Sequence, residues 1–328
     1  MDTNDQGGKI KYTLRQANIE QEIAEQQTVA DQADIKLTLL EEYLNLFTLY
    51  KQSHVLTRNI EESERRLKDI RRLEAEGIIT NNDVLRSEMQ LTEDRLAVQQ
   101  TWNNIRILSR KLDILLGLDE CLLLVPDSTL LERFFPVEEF SDYVPRAYRL
   151  DPSMQLLRKK TELAENRLRL TRSDSRPRLS LYASNTLARP VSRTMADMYN
   201  NSWNVGFSFT YSLSSLYRNK HRVNEAAQGI FLSRNEEDQK RQAIRLGIQT
   251  ALLRHHEAVN RVEAMKLSMK QAEENYRIMN NRYLNQLAIL TDLLDADNLR
   301  LNAELQLTAA RVRVVYTYYE LQRAVGEL

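Results

Sequence analysis

The sequence predicts a mainly α fold: two repeats of a long antiparallel coiled-coil helical hairpin, with a short β-hairpin between them. Three observations predict it. Residues 8–117 and 217–326 are two copies of one unit, the second numbered 209 higher than the first without a gap: Glu64 falls on Glu273, Asp83 on Asp292, Leu85 on Leu294, Leu96 on Leu305, Leu112 on Leu321 and Gly117 on Gly326. All six prolines (Pro126, Pro136, Pro145, Pro152, Pro177 and Pro190) lie between the copies and none inside them. The hydrophobic period changes from helical to two only in that intervening stretch.

Proline removes a helical N–H and clashes with the preceding turn, so two proline-free stretches of this length permit very long helices. Residues 9–76 read as one helix and 80–116 as a second, and at about 1.5 Å rise per residue the first is on the order of 100 Å long. Leu91, Val98, Ile105 and Leu112 recur every seventh residue, the spacing of a coiled-coil seam rather than of a broad core-facing stripe. The helices break near Gly77 in the first copy and near Gln286 in the second.

Between the copies, residues 119–151 are mixed and punctuated by proline. Pro152 then opens an amphipathic helix through Leu156, Leu163 and Leu170, since proline is well placed in a first helical turn. After it the period becomes two. Leu179, Leu181 and Ala183 alternate with Ser180, Tyr182 and Ser184; Trp203, Val205, Phe207, Phe209 and Tyr211 alternate with Asn204, Gly206, Ser208 and Thr210. A soluble hairpin with one face on a core gives this pattern. So does a transmembrane barrel strand, aromatic toward lipid and small or polar on the other side.

The charge balance excludes several functions. The chain carries 46 basic and 46 acidic residues with 42% apolar content and a mean hydropathy of −0.53, so nothing pulls it toward nucleic acid or anionic lipid. The longest apolar runs, such as Cys121 to Val125, are too short for a membrane-spanning helix. Cys121 is the single cysteine; it cannot form an internal disulfide and reads as a small buried hydrophobe. His54, His221, His255 and His256 show no triad or metal spacing and read as surface histidines. No phosphate-cradling glycine loop or nucleophile elbow is present. The expectation is a non-enzyme with no catalytic residues, no metal and no cofactor.

Helical hairpin, mixed segment, strand pair, helical hairpin resembles the order of the TolC-like outer-membrane efflux proteins over essentially the whole chain. Local stretches carry the resemblance: Gly7-Gly8-Lys9 at the entrance to the first helix, Glu76-Gly77-Ile78-Ile79-Thr80 at the helix tip with Asp83-Val84-Leu85 after it, Leu115-Leu116-Gly117 and Ala324-Val325-Gly326 closing the hairpins, and Arg176-Pro177-Arg178-Leu179 opening the strands. The resemblance implies a β-hairpin contributing to a trimeric outer-membrane β-barrel, with Trp203, Val205, Phe207, Phe209 and Tyr211 facing lipid. It further implies a homotrimer with a periplasmic helical tunnel that takes small molecules or proteins from an inner-membrane pump through a periplasmic adaptor protein. The domains are then 1–118 (first repeat), 119–176 (equatorial segment and helix), 177–213 (barrel strand pair) and 214–328 (second repeat).

The same resemblance assigns roles. Asp292 and Asp295, three residues apart on one helix face, are on sequence alone explained by a solvated surface; the resemblance makes them a pore constriction in which carboxylates from three copies ring one opening and attract cations. Tyr283 and Asp83 match a gate link between neighbouring helices, with seam packing as the other reading of Tyr283. Gly77, Ile78, Ile79 and Thr80 match an adaptor-docking tip, where Gly77 also serves simply as a left-handed turn residue. Gln286 stands where the second tip would carry glycine.

One expectation departs from the family pattern. Family members reach the Gly-Gly-Lys motif after a secretion signal, a first hairpin and two strands, whereas this sequence starts almost on that motif without a signal-like segment. The sequence therefore reads as the larger part of an outer-membrane and periplasmic channel, or alternatively as a non-functional truncated fragment or a soluble coiled-coil scaffold.

Overall fold

In the computed structural model, residues 8–119, 122–127, 135–189 and 199–328 are described; Cys121 and Gly7 lie outside them. The elements run α1 (Lys9–Ala75), α2 (Asn81–Leu116), α3 (Phe140–Leu150), α4 (Pro152–Ser173), β1 (Arg178–Ala188), β2 (Asn200–Thr210), α5 (Leu213–Leu284) and α6 (Leu290–Val325). The duplication reappears to the residue, since α2 and α6 both have 36 residues and start at equivalent positions. Equivalent residues also turn the chain. Gly77 and Gln286 at the two tips have φ of 73° and 61°, and Gly117 and Gly326 at the hairpin ends have φ of 67° and 85°.

Each of these four ends closes in the same way. At the first tip the Ile78 N–H donates to Leu73 O at 2.9 Å and the Gly77 N–H to Glu74 O at 2.9 Å; at the second the Leu287 N–H donates to Arg282 O at 2.8 Å and the Gln286 N–H to Tyr283 O at 2.9 Å. These paired bonds satisfy carbonyls that the helix end would leave open.

The chain forms two compact units. One holds residues 1–31 and 148–243, the other 32–147 and 244–328. In the first, Lys9 pairs with Asp174 at 2.9 Å, Arg15 with Glu162 at 2.9 Å, and the buried Asn166 donates to Tyr12 O at 2.8 Å, fastening α1 to α4. Asp151 caps α4 by accepting from the Met154 N–H at 2.8 Å, directly before Pro152.

The strands pair antiparallel with Leu179 opposite Phe209, Leu181 opposite Phe207, Ala183 opposite Val205 and Asn185 opposite Trp203. This register gathers the apolar residues of both strands on one face and Ser180, Tyr182, Ser184, Ser208, Gly206 and Asn204 on the other. The apolar face is bare in the single chain: Trp203, Val205, Phe207 and Phe209 are all at least 66% exposed. Tyr211 lies one residue past the end of β2. Opposite Tyr182 stands Gly206, where a Cβ would meet the tyrosine oxygen at 2.6 Å, so glycine makes room for the ring.

In the second unit α2 buries Val84, Ser87, Leu91, Asp94, Thr101, Ile105, Ser109 and Leu112. The spacing is the three-four alternation of a coiled coil, with small or acidic residues filling half of the seam. Asp94 is accommodated because Ser63 of α1 donates to it at 2.9 Å and Gln90 at 3.0 Å.

Within the mixed, proline-punctuated residues 119–151, α3 forms across Pro145 and buries Tyr143 and Ala147 on one face. One expectation is corrected here. His255 is not on the surface but 2% exposed, its Nδ1 3.1 Å from Thr317 Oγ1. Burial, followed by the charge of His256, lowers its pKa below the ordinary 6.5. His54, His221 and His256 are exposed.

Candidate functional site

The two helix tips lie in the second unit, and their equivalent residues have diverged in one informative way. At the first tip Asp83 serves the start of α2: its carboxylate accepts from the Thr80 N–H at 3.3 Å, the half of a capping box that satisfies the N-cap backbone, and from the Thr80 hydroxyl at 3.0 Å. At the second tip Ile289 occupies the place of Thr80 and gives α6 no side-chain cap. Asp292, equivalent to Asp83, is thereby released from capping. It and Asp295 are both exposed, and neither makes an ion pair with any described residue. Where the second copy has Asp295 the first has Arg86, which donates to Thr291 beside Asp292. The sequence places two carboxylates on one helix face; the structure leaves both unengaged.

Tyr283 packs its ring against the cluster of Leu67, Ile70, Val84, Leu91 and Leu290. Its hydroxyl is buried with no hydrogen-bond partner, so no bond joins it to Asp83 within the chain. Burial, and then the charge of Asp83, pushes its pKa up. Gly77, Ile78 and Thr80 are exposed at the first tip while Ile79 packs against the same cluster. The second tip exposes more apolar surface. Leu284, Leu287 and Ile289 are each at least 65% exposed, and carrying the first tip's positions across the duplication would have found Leu287 and Ile289.

Next to the tips runs an ionic network absent from the sequence expectations. Arg66 of α1 pairs with Asp297 of α6, and their side chains are only 10% and 6% exposed. Arg300 of α6 pairs with Glu62 of α1 and lies 2.9 Å from Asp297, with its guanidinium 4.3 Å from the centre of the Tyr276 ring. Burial and the Asp297 carboxylate raise the Tyr276 pKa. A cavity of about 290 Å3 opens beside these residues, bordered by Arg65, Tyr276, Asn280 and Tyr283. The sequence did hold one signal: Arg300 occupies the place of the seam residue Leu91 in the first copy.

Among the described residues no group of three or more His, Cys, Asp or Glu is placed to hold a metal ion. No described helix is long and apolar enough to cross a membrane, a finding silent about β-strands.

Comparison with known proteins places this arrangement. No curated protein sequence matches the chain. Several solved channels share its fold. The outer membrane protein VceC of Vibrio cholerae is 17% identical with a TM-score of 0.81, over 98% of this chain and 76% of that one. The CmeC outer membrane channel of Campylobacter jejuni is 17% identical with a TM-score of 0.77, over 98% and 68%. The MtrE outer membrane channel of Neisseria gonorrhoeae, in its open state, is 16% identical with a TM-score of 0.78, over 97% and 72%. The sequence profile of the outer membrane efflux proteins matches residues 144–327, more than half of the chain and inclusive of both strands, α5 and α6, and the chain belongs to that family.

Proposed function

We propose that the chain is a passive conduit of a tripartite efflux or secretion system, assembled as a homotrimer in the outer membrane and joined through a periplasmic adaptor to an inner-membrane pump. The observation that carries this reading is the strand pair. Each strand has 11 residues, the length of a tilted barrel strand, and the face formed by Leu179, Leu181, Val205, Phe207 and Trp203 has no cover in the protomer. A two-stranded sheet on its own is marginal in water, and closure with strands of other copies supplies both hydrogen-bond partners and a lipid contact for that face. A soluble scaffold would leave the face in water.

In this reading Asp292 and Asp295 line the periplasmic constriction. Their freedom from capping and from ion pairs supports the role, because a carboxylate already engaged by Thr80, as Asp83 is, offers less charge to a passing ion. Gly77, Ile78, Ile79 and Thr80 form one adaptor contact, and Leu284, Leu287 and Ile289 add a more apolar second. Tyr283 and Asp83 act as a gate link only where the helices of the assembled trimer bring the hydroxyl to a carboxylate.

The test is single-channel recording in planar bilayers. Asp292→Ala with Asp295→Ala is expected to lower cation selectivity and block by multivalent cations; unchanged selectivity and block would refute the constriction. Membrane insertion is read separately, from quenching of Trp203 fluorescence by brominated lipid in a Trp102→Phe background.

A further inference from the structure

The charges that join α1 to α6 alternate in sign. On α1, Arg58, Glu62 and Arg66 follow one another at one-turn spacing. Facing them on α6 in antiparallel order are Glu304, 2.5 Å from Arg58, then Arg300 against Glu62, then Asp297 against Arg66. None of the three α1 charges is repeated in the second copy, whose equivalent positions hold Leu267, Gln271 and Asn275. The ladder therefore belongs to the contact between these two helices and is not a relic of the duplication.

Stability alone does not account for it. Taking charges out of water opposes the pairing, and apolar residues of similar volume often do as well. The inner rungs also leave donors unserved, since Arg66 Nη1 and Arg300 Nε are buried without an acceptor. What such a ladder does supply is register. If α6 slid one turn in one direction, Arg58 would meet Arg300 and Glu62 would meet Asp297. One turn in the other direction sets Glu62 against Glu304 and Arg66 against Arg300. Both slips put two pairs of like charges together, each pair including a side chain no more than 20% exposed or costing the buried Asp297 or Arg66 its partner.

We propose that Glu62, Arg66, Asp297 and Arg300 are positioning residues that lock the register and rotation of α6 on α1, and so aim Asp292 and Asp295. Asp297 is two residues from Asp295 on the same continuous helix, and a helix turns about 100° per residue, so whatever holds Asp297 inward fixes the direction of both exposed carboxylates. The stack of Arg300 on Tyr276 adds a second helix, α5, to the same clamp. The consequence for conduction rests on the constriction reading above; the register lock does not.

Spin labels at the exposed positions Glu61 and Arg311, in a Cys121→Ser background of the full chain, report the register as a distance, because their separation runs largely along the helix axes. Charge reversal by Arg66→Asp sets that residue against Asp297 and is expected to shift or split the distance by most of one turn, on the order of 4 Å; adding Asp297→Arg is expected to restore it. If the reversal does not fold, the neutral pair Arg66→Met with Asp297→Leu keeps the packing and is expected to broaden the distribution. A parental, narrow distance in the reversal variant, or in the neutral pair where the reversal does not fold, overturns the lock. Asp292→Ala with Asp295→Ala is expected to keep the parental distance. Should that variant also keep cation block, the constriction reading fails and the lock is judged on distances alone. Should it lose block while a lock variant with a shifted distance keeps it, the positioning role is overturned.

Discussion

Replacing Gln286 by glycine should stabilise the protein. Gln286 is the non-glycine residue with positive φ among those described, at 61°, and its equivalent in the first copy is Gly77 at 73°. For an L-residue the left-handed conformation costs about 1–2 kcal/mol through the clash of Cβ with the following carbonyl. Glycine avoids that clash but brings a more flexible unfolded chain, which returns roughly 0.5–1 kcal/mol. The net gain for Gln286→Gly is about 0.5–1 kcal/mol. The reverse change at the other tip, Gly77→Gln, should lose about the same, and it isolates the backbone effect because nothing lies within 4 Å of a Cβ placed there. Thermal unfolding reads both. A chain of about 150–250 residues shifts by about 2–4 °C per kcal/mol, and a longer one by less, so a rise of about 1 °C for the first variant and a similar fall for the second are expected. Gln286→Asn should fall between, since asparagine tolerates this conformation better than most residues. A lowered melting temperature for Gln286→Gly, or an unchanged one for Gly77→Gln, would refute the argument.

Other changes test the site. Ile289→Thr rebuilds at α6 the pairing of Thr80 with Asp83 that opens α2; it should add about 0.5–1 kcal/mol to stability and, by engaging Asp292, weaken cation selectivity in bilayers. Tyr283→Phe removes a buried hydroxyl without a partner and should raise stability by roughly 1 kcal/mol; a channel that stays as closed as the parent would remove the gate link from the mechanism. For His255 the folded pKa lies below the ordinary 6.5, so the unfolded chain takes up the proton first as pH falls. Its contribution to stability is complete above about pH 6.5 and is lost as pH drops below that value toward the folded pKa. Melting temperature against pH should therefore slope less between those limits in His255→Gln than in the parent.

The sequence by itself determined the helices, their breaks and the strand pair. Proline placement, the seven-residue recurrence of Leu91, Ile105 and Leu112, and the period-two run from Trp203 to Phe209 are local patterns, set by how a helix or strand presents successive residues. The duplication fixed the tips to the residue, because Gly77 and Gln286 hold equivalent turns. Local pattern did not mark all of the fold: α3 runs through Pro145, and its burial of Tyr143 and Ala147 comes from packing.

The tertiary structure alone decided which polar residues are engaged. Asp94, Asp297 and His255 look like surface residues in a one-dimensional reading, and each is buried because a partner far along the chain meets it: Ser63, Arg66 and Thr317. Asp83 and Asp292 occupy equivalent places in the duplication, yet one caps a helix and the other stands free, according to whether threonine or isoleucine precedes it. A side chain's neighbours on its own helix follow from the sequence period, whereas its neighbours across the seam depend on the register between helices. That register is a property of the folded pair, and in this protein a ladder of alternating charges holds it.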